Sequence, residues 1–167
     1  SGGVGTFAVQ IAKAFGAHVT AVSSGRNADL VRSLGADEVV DYEREDFTEH
    51  RGAYDVMLDL VGNRSLAECR RVLTPRGAYV IVGVRDAGRW LGLGRQARAL
   101  LVSPFVRRRM RVFVVKHTRA DLAVLSDLVE AERIRPVIDR RYPLGEAADA
   151  LRHQGEGHPR GKVVLTV

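Results

Sequence analysis

Two groups of residues in this chain have the types and spacing to do chemistry. The first is Ser1-Gly2-Gly3-Val4-Gly5. Gly2 and Gly5 stand three apart and open a stretch of helical spacing, so they match the last two glycines of a G-x-G-x-x-G loop. Glycines let the chain turn tightly and let a phosphate reach the backbone, while a helix N-terminus aims N–H groups and its positive dipole end at the anion. Such a loop binds a pyrophosphate. A flexible terminus is the alternative reading of the glycines alone, and the helix and strand that follow favour the loop. The second group, Ser23-Ser24-Gly25-Arg26, follows a predicted strand. A site for an unphosphorylated dinucleotide usually places an acid there for the ribose 2′-hydroxyl. Hydroxyls and a guanidinium instead donate hydrogen bonds to a 2′-phosphate, which a carboxylate would repel. The pattern favours NADPH.

The elements that must position these groups follow from periodicity. Val4, Phe7, Ala8, Ile11, Ala12 and Phe15 predict a helix over 4–15, stopped by Gly16. A short β-branched strand over 18–22 follows, then a helix over 27–34 closed by Gly35, and a strand over 38–40. Further strands are predicted over 54–60 and 77–83, with a helix between them over 65–73 that Asn63 caps. Beyond these come a Gly/Arg/Leu-rich loop over 86–104 with a helix around 95–102, and a strand over 112–115. An amphipathic helix over 120–131 places Leu122, Leu125, Leu128 and Val129 on one face. Extended segments over 136–138 and 142–144, a helix over 146–151, a loop over 155–161 and a strand over 163–167 complete the chain.

Alternating helices and uniformly apolar strands indicate an α/β fold: a Rossmann-type, doubly wound, mostly parallel sheet with helices on both faces. The strand that would feed the glycine loop lies before Ser1, so the expectation is a fold lacking its first strand. All of 1–167 is read as one dinucleotide-binding domain fragment, with about 136–167 returning towards an absent N-terminal substrate domain.

Composition narrows the function. The net charge of +6 comes mostly from arginines spread along the chain, with one dense run at Arg107-Arg108-Arg109-Met110-Arg111. Aromatic residues make up 6% and are not interleaved with the arginines as stacking platforms, so a nucleic-acid partner is not expected. No apolar run reaches membrane-spanning length and no signal peptide is visible. The single cysteine, Cys69, excludes an internal disulfide and reads as a small core residue, so a reducing cytoplasm is expected. Scattered histidines and one cysteine offer no metal-ligand spacing.

The residues Ser1 to Lys13, Leu34 to Tyr42, Tyr54 to Gly62, Gly77 to Gly83 and Gly157 to Val164 together resemble the medium-chain dehydrogenase/reductases, in their zinc-independent quinone oxidoreductase branch. The likeness is greatest to the reticulon-4-interacting-protein-like group and covers nearly the whole chain. It implies an NADPH-dependent oxidoreductase acting on a small-molecule quinone, enone or carbonyl, homodimeric when full-length. The resemblance places Ser1, Gly2, Gly3 and Val4 at the pyrophosphate, and Ser23, Ser24, Arg26 and Tyr42 around the adenosine 2′-phosphate. It sets Leu60, Val61, Gly83 and Val84 along the ribose or nicotinamide. Phe113, Val114 and Val115 would line the nicotinamide pocket, with His158, Pro159 and Arg160 closing on the cofactor. Leu60, Val61 and Phe113 to Val115 read equally well as core.

The substrate domain of that family is expected to lie outside residues 1–167, and with it the metal ligands of zinc-dependent relatives. No residue reads as a general acid or base, and hydride transfer depends mainly on positioning. A zinc-dependent alcohol dehydrogenase fragment and a non-enzymatic NADPH-binding module are the competing readings. A methyltransferase would usually show an acid where Ser23-Ser24 stands. The fragment is expected to be inactive alone and to bind NADPH weakly.

Overall fold

The computed structural model describes residues 1–82, 109–112, 118–157 and 159–167. It divides into two compact units, Ser1–Glu45 with His117–Val167, and Asp46–Lys116. Among the described residues every strand pairing is parallel, as the apolar strand pattern requires. The α/β class and the order of the elements match the sequence reading. The pairings form three separate ladders rather than one sheet.

In the first unit, α1 (Gly5–Ala14), β1 (Thr20–Ser23), α2 (Ala28–Ser33) and β2 (Glu38–Asp41) follow in order. Gly16 and Gly35 end the helices as expected. β1 and β2 run in parallel register, Thr20 opposite Glu38 and Ser23 opposite Asp41. Their core joins Val9 of α1 with Val31, Leu34 and Ala36, and Val19, Ala21, Val39 and Val137 pack against it. The face of α1 differs from the predicted one. Thr6, Val9 and Gln10 are its buried residues, while Val4 and Phe15 are exposed. Gln10 explains the rotation. Its amide donates to the Arg135 carbonyl at 3.0 Å and accepts the Arg135 N–H at 2.9 Å, so this polar side chain faces a neighbouring segment and is satisfied there.

The same unit holds α4 (Arg119–Glu130), β6 (Ile138–Pro143), α5 (Ala147–Gly155) and β7 (Lys162–Thr166). β6 joins the two predicted extended segments into one strand. In α4 only Leu128 is buried; Leu122, Leu125 and Val129 of the predicted stripe are exposed.

The second unit contains β3 (Tyr54–Asp59), α3 (Leu66–Arg71), β4 (Leu73–Ile81) and β5 (Arg109–Val112), with strand order β3-β4-β5. Cys69, Leu73, Tyr79 and Ile81 form its core, joined by Tyr54, Met57 and Leu66. Tyr54 and Met57 are three apart yet share one face. The pairing is irregular there: β3 advances two residues, from Tyr54 to Val56, while β4 advances five, from Leu73 to Ala78, and regular alternation resumes from Val56. Val56 and Leu58 consequently lie opposite and are exposed, against the expectation of cover on both faces. Ser65 caps α3 in place of the predicted Asn63, through a reciprocal pair in which Glu68 N–H donates to Ser65 Oγ and Ser65 N–H donates to Glu68. β5 begins three residues before the predicted strand, inside the arginine run. The predicted loop and helix over 86–104, and residues 113–115, lie outside the described residues. No described helix is long and apolar enough to cross a membrane.

Candidate functional site

The glycine loop ends where α1 begins, and α1 begins without a cap. Val4 stands at the capping position, makes no side-chain capping bond, and no acid lies in the first turn. The first N–H groups of a helix have no partner within it, and they carry its positive end. Here Thr6 N–H is taken by the Gly2 carbonyl at 3.0 Å, and no side chain caps the rest of that end. Thr6 is 1% exposed, and its hydroxyl has no hydrogen-bond partner among the described residues.

A cation stands against this loop. A side chain begun at Gly3 would come within 2.9 Å of the Lys162 methylenes and 3.1 Å of its Nζ. Lys162 opens β7, and its ammonium also lies 6.0 Å from the centre of the Phe7 ring. An ammonium beside a positive helix end is unfavourable by itself and becomes favourable when an anion lies between them. A side chain begun at Gly2 would approach the Pro159 carbonyl to 3.8 Å. The contact at Gly2 is an ordinary van der Waals distance, whereas at Gly3 a side chain would displace Lys162, so the lysine sits close over a bare stretch of backbone of the kind a phosphate cradle uses.

The second group is tied to the first by a residue the sequence reading passed over. Asn27, 4% exposed, donates from Nδ2 to Ser1 Oγ at 2.8 Å and to Ser24 Oγ at 3.2 Å. Its Oδ1 is buried with no partner among the described residues. Ser23 and Ser24 are both buried. Arg26 is exposed on the short 3-10 turn Gly25–Asn27, and its carbonyl accepts from Arg160 Nη2 at 3.5 Å. Tyr42, half exposed, donates its N–H to the Ser23 carbonyl at 3.1 Å. The structure therefore brings Ser1, Gly2, Gly3, Ser24, Arg26, Tyr42, Pro159 and Arg160 of the expected set into one region, with Asn27 and Lys162 added. Val4 is exposed at its helix end.

The loop carrying Pro159 and Arg160 is anchored from behind. His153 Nε2 lies 2.7 Å from Asp139 Oδ2, and both side chains are mostly buried. Burial raises the Asp139 pKa. Hydrogen bonds from His153 and the Arg160 N–H, with the charges of His153 and Arg140, outweigh it and hold the carboxyl below its ordinary value.

In the second unit, Leu60 and Val61 follow β3. Asp59, 7% exposed, holds their turn: its Oδ1 accepts from Val61 N–H at 3.1 Å and Gly62 N–H at 2.7 Å, and its Oδ2 accepts from the buried Tyr79 hydroxyl at 2.5 Å. An acid inside an apolar strand was the visible signal for this residue. Asn27 and Lys162 gave none, because their partners lie far away in sequence. Gly83, Val84, Phe113, Val114, Val115 and His158 lie outside the described residues. Among the described residues no three His, Cys, Asp or Glu side chains are grouped as metal ligands.

Comparison with known proteins adds four likenesses. The zinc-binding dehydrogenase family matches residues 34–165. The mitochondrial NAD(P)H oxidoreductase RTN4IP1 of Mus musculus is 37% identical over 184 residues, covering 100% of this chain and 46% of its own length. The chloroplastic quinone-oxidoreductase QR1 of Triphysaria versicolor is 31% identical over 170 residues, covering 99% of this chain and 50% of its own. Among solved structures, the quinone oxidoreductase from Coxiella burnetii superposes with a TM-score of 0.82 at 30% identity, over 99% of this chain and 50% of that one. The chain spans about half the length of the curated relatives it matches. The names correct one expectation. The relatives named are mitochondrial and chloroplastic, which overturns the cytoplasmic location drawn from a single cysteine. A reduced thiol does not separate these compartments.

Proposed function

The chain belongs to the zinc-binding dehydrogenase family of the medium-chain dehydrogenase/reductases, and from that premise we propose that it is the cofactor-binding part of an NADPH-dependent oxidoreductase. The whole protein would pass hydride to a small quinone, enone or carbonyl, and would work as a homodimer. The observation that carries this reading is the uncapped N-terminus of α1, with Lys162 beside Gly3 and Ser24 tied to the loop through Asn27.

The residues present fit the cofactor. Orphaned buried oxygens on Thr6 and Asn27 lie in this region, and a Cβ at Gly3 would displace Lys162. Ser1, Gly3 and Val4 with the Lys162 ammonium would hold the pyrophosphate. Ser24, Arg26 and Tyr42 would take the 2′-phosphate, with Pro159 and Arg160 closing on them. Leu60 and Val61 would lie along the ribose or nicotinamide, on the turn that Asp59 fixes. When bound, the nicotinamide supplies the hydride, and the chain's own contribution is to orient it and exclude water.

The test is a change of preference. Ser24→Asp combined with Arg26→Ala removes two donors and adds a carboxylate, so the NADPH-to-NADH affinity ratio should fall by about tenfold or more. Calorimetric titration with each dinucleotide reads it. An unchanged ratio counts against the assignment.

A further inference from the structure

β1 ends without an acid, yet a carboxylate stands beside that end. Asp41 closes β2, and parallel register sets it opposite Ser23. Its Oδ1 accepts the Glu43 N–H at 3.1 Å, which turns the chain after the strand and fixes the carboxyl group. Its Oδ2 has no hydrogen-bond partner among the described residues. That oxygen lies 2.5 Å from where a Cβ at Gly25 would stand, closer than carbon and oxygen can approach. Gly25 is not among the glycines held in the left-handed region, so backbone conformation does not call for glycine there. The carboxylate does: it occupies the side-chain space at the start of the turn that carries Arg26.

We propose that Asp41 is a specificity-determining residue of the dinucleotide site, supplying from the end of β2 the acid that the end of β1 lacks. This rests on the reading of the glycine loop and β1 as a dinucleotide site. Asp41 Oδ2 accepts from the ribose 2′-hydroxyl of an unphosphorylated cofactor. The same charge stands against a 2′-phosphate, which Ser24 and Arg26 attract. The site then takes both forms, and the balance between Asp41 and the Ser24/Arg26 donors sets the preference.

Asp41→Asn in the full chain tests this. Asparagine keeps an oxygen for the Glu43 N–H and replaces the anionic Oδ2 by an amide. Calorimetric titration should give tighter NADPH and weaker NADH binding, moving the ratio towards NADPH by about tenfold or more. The gain for NADPH should shrink as salt is raised, which a purely structural change would not produce. Gly25→Ala should move the ratio the same way, because its Cβ drives Oδ2 from its place. If the unaltered protein binds both cofactors and Asp41→Asn leaves the ratio unchanged, or weakens both equally, the role of Asp41 is overturned and the nucleotide reading stands. If the unaltered protein binds neither, both are overturned.

Discussion

The loop before α1 and the turn before α3 begin from similar material, short polar residues and glycines ahead of a helix, and finish differently. The turn closes on itself. Asp59 takes the N–H groups of Val61 and Gly62 and the Tyr79 hydroxyl, and Ser65 and Glu68 cap α3 reciprocally. The loop stays open. α1 has no side-chain cap and no acid in its first turn, and Thr6 and Asn27 keep buried oxygens without partners among the described residues. Polar groups satisfied within the fold contribute stability, and groups left unsatisfied mark where something else must supply the partner. One further orphan, Arg70 Nε, sits on α3, so the contrast concerns the helix starts rather than every atom.

If the turn is built for stability, the largest effect should come from Asp59. Asp59→Ala removes a buried acceptor of three hydrogen bonds and should cost about 3 kcal/mol or more, read by urea denaturation. A loss below about 1 kcal/mol would break the comparison at its stable end.

The two regions also differed in how legible they were. The glycine loop, the strands predicted over 18–22 and 38–40, and the helix stops at Gly16 and Gly35 follow from local rules, because each residue's type answers a local backbone demand. Asn27 escaped notice because its partner Ser1 lies 26 positions away, and Gln10 because Arg135 lies 125 away. No spacing rule reaches across such gaps. Asn63 looked like a cap because asparagine often is one, but the Ser65–Glu68 pair satisfies two groups at once and fixes the start two residues later. The apolar pattern placed β5 too late, since its residues Arg109 and Arg111 hid a strand inside a basic run. Phe113 to Val115, Gly83, Val84 and His158 belong to segments outside the described residues, so their roles rest on resemblance alone.

A smaller effect is expected at the cap. Ser65→Ala should cost about 1 kcal/mol and leave dinucleotide affinity unchanged, because α3 spends its cap on itself. A weakened cofactor Kd in this variant would blur the distinction between the two helix starts.

The cap also predicts a pH dependence. Hydrogen bonds from the Ser65 side chain and backbone, with the charges of Arg64 and Arg71, hold Glu68 below its ordinary value of 4.5. A depressed carboxyl pKa means the folded state favours the ionised form. Its contribution is therefore fully present above that ordinary value and is lost as pH falls through the folded pKa. Asp37, tied to Lys13 and the Val19 N–H, and Asp46, tied to Thr48, act in the same direction. Thermal unfolding followed from pH 6 downwards should show stability falling on the acid side, and Ser65→Ala should make that fall shallower. Equal slopes in both proteins would remove Glu68 from the account.

The smallest change in stability should carry the opposite sign and complete the comparison. Val4 is 56% exposed at the start of α1, so Val4→Asp places a carboxylate against the positive helix end without disturbing the core. That charge does for α1 what Glu68 does for α3, and should add about 0.5 kcal/mol of stability. It also occupies electrostatically the place argued for the pyrophosphate, beside Lys162, so dinucleotide affinity should fall by about tenfold or more even as the protein melts higher. NADPH and NADH should weaken alike, since both carry the pyrophosphate, which separates this effect from the selective ones at Ser24, Arg26 and Asp41. A variant that melts higher and binds both dinucleotides as before would show that the open helix end is not where the anion sits.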